Sequence, residues 1–286
     1  MKNSNKLLIT LATLFFIVPL MGMMVISKLY YKVNSTSDYL TTQVLNNQPF
    51  KEKTKGRTSI VINEPFNAVN IVNANNSSIE LHLNQDENYG VKIQDDFMKD
   101  LDFKVENGVL NIFFKNGLSI DNYANRIMIN TYAPKFKKIS AFNTAYLNLV
   151  SLSDSLNINL RDCNYFSIGY SAITTAKVVN GDTTNHEPYN KTQFKNLNIN
   201  LDKSTLKMNN LNLEHLNIKA QNNSTVEMES SGINANESTI EHFNLNTLGK
   251  NEVKIKNFNF KEAKGEISDE TKLEAPISIL KQLFKN

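Results

Sequence analysis

Residues 195–208 read KNLNINLDKSTLKM, residues 214–228 read EHLNIKAQNNSTVEM, and residues 241–255 read EHFNLNTLGKNEVKI. Each stretch opens on two polar residues, alternates apolar with polar, breaks at a polar corner, and alternates again. Alternation with period two marks a strand with one buried face. The same pattern appears earlier, in KKISAFNTAYLNLV from Lys137 and in DSLNINLRDCNYFSI from Asp154. The five starts are 17, 41, 19 and 27 residues apart. The gap of 41 reads as two turns of about 20, the middle one holding AITTAKVV, the loop NGDTTNHEPYNKT and Phe194. A repeat near 20 residues implies a solenoid, because one turn cannot bury its apolar face alone. Stacked turns would align Leu156, Leu197, Leu216 and Phe243 as one inward row, and Ile158, Ile199, Ile218 and Leu245 as the next. An antiparallel sandwich of hairpins also suits regular short strands. The aligned rows favour the solenoid.

Outward from the repeat, the pattern changes on both sides. Residues 136–270 form the repeats, and residues 58–135 form a strand-rich region that leads into them. SIVI, AVNIV, SIELHL, YGVKI, DFKV, VLNIFF and RIMINTY each fit a strand. Asn107–Gly108, between two alternating runs, predicts a two-residue hairpin turn. At residues 271–286, Pro276 can open a short helix with Ile277, Ile279, Leu280, Leu283 and Phe284 apolar, covering the open end of the stack. Residues 32–57 are polar and aperiodic and read as a linker. Residues 1–31 hold an uncharged run from Leu7 to Ser27 behind Lys2 and Lys6. Its length suits a membrane-spanning helix, with Leu7, Phe15, Phe16, Ile17, Val18, Val25 and Ile26 as anchor residues. A signal peptide cleaved near Val25 and Ser27 is the competing reading. The expected class is therefore all-β, a right-handed parallel β-helix preceded by one N-terminal transmembrane helix.

Composition narrows the functions. The net charge is +3, and no block of five like charges occurs, which argues against nucleic acid as a partner. The single cysteine, Cys163, excludes an internal disulfide. The chain has 44 asparagines, a residue that tolerates left-handed backbone and caps turns with its side chain. Glu214–His215 and Glu241–His242 occupy the same phase of two turns. They are the candidate metal ligands, against the simpler reading of a solvated corner. Asp95, Asp96, Asp100 and Asp102 lack the ligand order of a calcium loop. No nucleophile elbow, phosphate loop or dinucleotide fingerprint occurs, so neither catalytic residues nor a cofactor are expected. Tyr146, Tyr165 and Tyr170 are candidates for stacking on sugars, unless the stack buries them. Arg161 beside Asp162 has no acidic pair in the same phase of neighbouring turns.

The order of these segments resembles a known family, the head GIN domain of adhesin-like bacterial envelope proteins. The resemblance covers about residues 60–262. It rests on Phe66, Val69 and Ile71 in the first strand, on SIELHL and YGVKIQDD, and on the hairpin from Lys104 to Ile112. RIMINTYAP and the segment from Lys137 to Ala145 complete it. The family's Gly-rich corners are replaced here by Asn, Asp, Lys and Ser. The resemblance implies a non-enzymatic binding or scaffolding protein at the cell envelope, with residues 32–286 outside the cytoplasm and a glycan or another envelope protein as partner. A polysaccharide-active β-helix enzyme and a periplasmic sensor arm acting through a membrane partner are the alternatives. A fold alone does not decide among them.

Overall fold

The structure, a computed structural model, describes residues 3–30, 49–54, 56–115, 117–120, 126–168, 176–179, 182–185, 194–209, 211–230 and 239–285. The chain divides into two compact units, Met1–Thr42 and Gln43–Asn286. In the first unit α1 (Asn3–Tyr30) contains Pro19. Phe15, Phe16, Ile17 and Val18 are exposed on it; the side chains of Leu7, Val25 and Ile26 lie outside the described set. The expected transmembrane helix is not supported. Among the described residues no helix is long and apolar enough to cross a membrane. A span needs sustained apolarity over roughly 20 residues, and the described side chains of this run, those of residues 11 and 13–23, fall short of that length.

The second unit holds, in chain order, β1 (Arg57–Val61), β2 (Ala68–Asn73), β3 (Ser77–Gln85), β4 (Gly90–Gln94), β5 (Leu101–Glu106), β6 (Val109–Phe114) and β7 (Ile127–Ala133). There follow β8 (Lys138–Ser151), β9 (Ser155–Cys163), β10 (Phe166–Ile168), β11 (Ala176–Val179), β12 (Asp182–Asn185), β13 (Asn196–Asp202) and β14 (Thr205–Asn209). The last are β15 (Leu213–Gln221), β16 (Thr225–Glu229), β17 (Thr239–Leu248), β18 (Glu252–Lys256), β19 (Asn259–Glu266), β20 (Lys272–Glu274) and the helix α2 (Ile277–Leu283). Of the expected linker, Phe50 and Thr54 are buried and Arg57 opens β1.

The architecture is a parallel stack, as the repeat implied. Each rung is a strand, a corner and a second strand. The rungs β9–β10, β13–β14, β15–β16, β17–β18 and β19–β20 follow one another, first strand on first and second on second. The long β8 is a rung in itself, pairing with β9 in its first half and β10 in its second. On its other side β8 pairs with β2 and β3, which pair in turn with β6 and β7. The strand-rich N-terminal region therefore supplies two rungs, stacked out of chain order. Antiparallel strands close that end: β5 lies on β6, β4 on β7 and β1 on β4.

The inward rows are those expected. Leu197 pairs with both Leu156 and Leu216, and Leu216 with Phe243; Ile199 pairs with Ile158 and Ile218, and Ile218 with Leu245. All eight are buried. The gap of 41 residues is one step and not two, since Asn159 pairs directly with Asn200. The intervening chain contains β11 and β12, an antiparallel pair in a separate sheet. By sequence its loop NGDTTNHEPYNKT has no run of alternating apolar residues, the pattern that a rung needs to face the core.

Corners and outward ladders account for part of the asparagine content. Asn143, Asp162, Lys203 and Asn222 hold left-handed backbone, with φ of 57°, 51°, 48° and 58°. The turn between β5 and β6 uses Asn107 and Gly108 at φ 50° and 75°, as the dipeptide predicts. Behind the corners runs a buried polar ladder. The Cys163 amide donates to Ser204 Oγ at 3.1 Å, Ser204 N–H to Ser224 Oγ at 3.2 Å, and Ser224 N–H to Asn251 Oδ1 at 3.0 Å. Each side chain thus satisfies a backbone donor of the preceding rung, which would be costly to bury unpaired. At the far end α2 buries Ile279 and Leu283, and the Ala263 N–H donates to Gln282 Oε1 at 2.9 Å. Ile277 and Phe284 are exposed.

Candidate functional site

Strands alternate their side chains, so the residues between the buried rows face outward. Across β2, β8, β9, β13 and β15 that outward side forms a groove of about 480 Å³. Asn70, Ser140, Asn159, Asn200 and Lys219 form one column along it, because each pairs with the next across adjacent strands. Asn200 Nδ2 donates to Asn159 Oδ1 at 2.8 Å. A neighbouring column brings Phe142, Arg161, Asp202 and Gln221 to the same groove. The Arg161 guanidinium carbon lies 4.2 Å from the Phe142 ring centroid, a cation–π contact. Asp202 Oδ1 accepts from Asn222 Nδ2 at 2.7 Å. The groove thus presents neutral amides, one hydroxyl, two cations and one carboxylate. A second amide ladder flanks it, with Asn217 donating to Asn198 at 2.8 Å and Asn198 to Asn157 at 2.9 Å.

The candidate metal ligands come partly together. His215 and His242 pair on adjacent rungs and their rings stack, centroids 4.7 Å apart and 14° from parallel. His242 Nδ1 lies 3.2 Å from Glu262 Oε2, and Glu241 pairs with Lys261. Glu214 is exposed at the start of β15. Among the described residues no three His, Cys, Asp or Glu side chains are placed to hold a metal ion. Of the tyrosines, Tyr146 and Tyr165 are half-buried against each other at 4.9 Å, with Lys207 Nζ 5.1 Å from the Tyr165 ring. Tyr170 lies outside the described residues. Asp95 accepts from Thr58 Oγ1 at 2.8 Å, and Asp102 pairs with Lys115 at 3.4 Å, so the acidic segment is spread over separate contacts.

One polar cluster escaped sequence reading. Glu80 and His82 alternate with Ile79, Leu81 and Leu83, a pattern that assigns them to solvent. Both are buried, with His82 Nε2 2.7 Å from Glu80 Oε1, and the buried Arg126 pairs with Glu80. Burial alone would raise the Glu80 carboxyl. The His82 hydrogen bond and the Arg126 charge outweigh it and hold its pKa below the ordinary range. Lys92, also buried, donates to the Pro49 and Glu52 carbonyls at 2.8 Å each. Burial lowers its pKa. Nothing in a single alternating strand signals that its polar side is covered. The cover depends on distant chain, here residues 49–54 over Lys92.

The profile of the family described as "Putative auto-transporter adhesin, head GIN domain" matches residues 65–268. The chain belongs to that family. Several solved structures match this head GIN domain protein. A "putative adhesin" of Parabacteroides distasonis is 12% identical, with 73% of this chain and 77% of that one covered at a TM-score of 0.42. A "putative adhesin" of Parabacteroides merdae is 15% identical, with 76% and 92% covered at a TM-score of 0.40. A "putative lipid binding protein" of Parabacteroides distasonis is 12% identical, with 77% and 94% covered at 0.36. No curated protein matches the chain.

Proposed function

We propose that the chain is a non-enzymatic binding head that acts outside the cytoplasm, at the cell envelope or beyond it. The groove is the observation that carries this reading. It is an open, rigid surface built on interior strands, where side chains are placed by the rung register instead of by loops. Neutral amides are the commonest polar groups of its lining, and they bind without reacting. Hydrolysis of a glycosidic bond by the usual route takes a pair of carboxylates flanking the bond, and among the described lining residues Asp202 is the single carboxylate. Membership of an adhesin-like family supports the same conclusion and the location. The purified full chain, incubated with bacterial envelope fractions, is expected to be retained without releasing new reducing ends. Failure of retention on every fraction, or turnover of an envelope glycan, would sink the proposal.

A further inference from the structure

We propose that the groove over β2, β8, β9, β13 and β15 binds a linear, carboxylated polysaccharide laid along the stack axis. This rests on the binding-head reading above and names its ligand class. Three features select a polyhydroxylated chain. First, the groove lies over strands whose main-chain groups are already paired on both sides. An extended peptide, which gains its affinity by adding to a free sheet edge, finds no backbone to pair with here. Second, the column from Asn70 to Lys219 repeats at the strand spacing of about 4.8 Å, so its five members extend over roughly 19 Å. The ladder bond between Asn200 and Asn159 uses one Nδ2 and one Oδ1. It leaves Asn159 Nδ2 to donate and Asn200 Oδ1 to accept, the mixed pattern that sugar hydroxyls satisfy. Third, charge sets the preference within glycans. Arg161 and Lys219 stand on rungs two steps apart, about 10 Å along the axis. They face one carboxylate, Asp202, which accepts from Asn222. Arg161 is held over the Phe142 ring and is exposed, and a guanidinium pairs bidentately with a carboxylate. Two separated cations are too few for a nucleic-acid footprint.

The test is calorimetric titration of the full chain with oligogalacturonate and hyaluronate, and with dextran as a neutral chain. Binding of at least one carboxylated polymer is expected, weakening with added salt, with dextran bound at least tenfold more weakly. Arg161→Ala combined with Lys219→Ala should weaken binding about tenfold or more, the loss of one to two charge-assisted hydrogen bonds. Lys254→Ala, on the other strand of its rung, should leave binding unchanged. Both groove side chains are exposed, so the melting temperature of the double variant should match the parent and separate lost contact from lost fold. Full-strength binding by the double variant would remove the ligand from this groove. Envelope retention without affinity for either carboxylated polymer would overturn the ligand class while leaving the binding head intact. Neither retention nor polymer binding would overturn both.

Discussion

Among the described residues nine non-glycines hold positive φ, and seven are asparagine. Where the backbone turns left-handed, asparagine is therefore the usual occupant. The other two are Asp162, whose short polar side chain also tolerates this region, and Lys203, which sits in the same corner column with a β-carbon that the left-handed region disfavours by roughly 1–2 kcal/mol. Its side chain is exposed, so little packing is lost on removing it. Lys203→Gly is expected to stabilise the protein by about 0.5–1 kcal/mol after the greater flexibility of glycine in the unfolded chain is subtracted. A rise in the urea midpoint at constant slope would show this; a fall would mean that the lysine stem contributes packing. Glu80 gives a pH prediction. Its folded pKa is depressed, so its contribution is present above the unfolded value of about 4.3 and is lost as pH falls through the lower folded value. Glu80→Gln removes the buried carboxylate that pairs with Arg126 and His82 and should cost about 3–5 kcal/mol at neutral pH. Unfolding free energies of the two proteins should differ by that amount at pH 7 and draw together as pH falls below about 4.3 towards the depressed folded value. A constant gap across that range would show that the carboxylate charge is irrelevant.

Single elements decide how the stack ends. The inward rows run from Phe243 and Leu245 to Ala263 and Gly265 on β19. A β-carbon on Gly265 would lie 2.2 Å from the Leu245 carbonyl oxygen, a backbone atom that cannot rotate away. Gly265→Ala should therefore destabilise by about 1–3 kcal/mol, the usual range for overpacking, read as a lower melting temperature. An unchanged melt would show that β19 can shift without loss. The same elements show what the sequence discloses. The inward rows were legible because apolar residues recur in the same phase of each turn, and α2 was legible from Pro276 and its apolar spacing. The burial of Glu80 and His82 was not, since alternation reports a face and not what covers it. The groove was half legible. The outward phase of Asn159 and Asn200 follows from the repeat, but their direct pairing does not, since the gap of 41 residues read as two turns; the concavity and the stacking of Arg161 on Phe142 depend on lateral packing that no local pattern encodes.

At the scale of the molecule, the order of the rungs is the feature that chain order conceals. A reading by proximity separates residues 58–135 from the repeats as a region of their own. In the structure β8 is flanked by β9 and β10 on one side and by β2 and β3 on the other. The rung β6–β7 then lies beyond β2–β3, so the chain adds its third segment to the far side of its first. One hydrophobic core runs through all of them, from Val69 and Leu110 to Phe243 and Leu283. A repeat stack draws its stability from interfaces between neighbouring rungs. A fragment of residues 136–286 would therefore expose one whole edge of β8, 14 residues long, with Ile139, Ala141, Leu147 and Leu149 uncovered on that side. Long unpaired edges recruit other chains. The fragment is expected to self-associate in gel filtration and to lack the cooperative unfolding transition of the full chain. Adding residues 57–135 as a separate polypeptide should restore both, because their rungs supply the missing strand partners. A monomeric fragment that melts cooperatively at the temperature of the full chain would show instead that the stack is two separable domains.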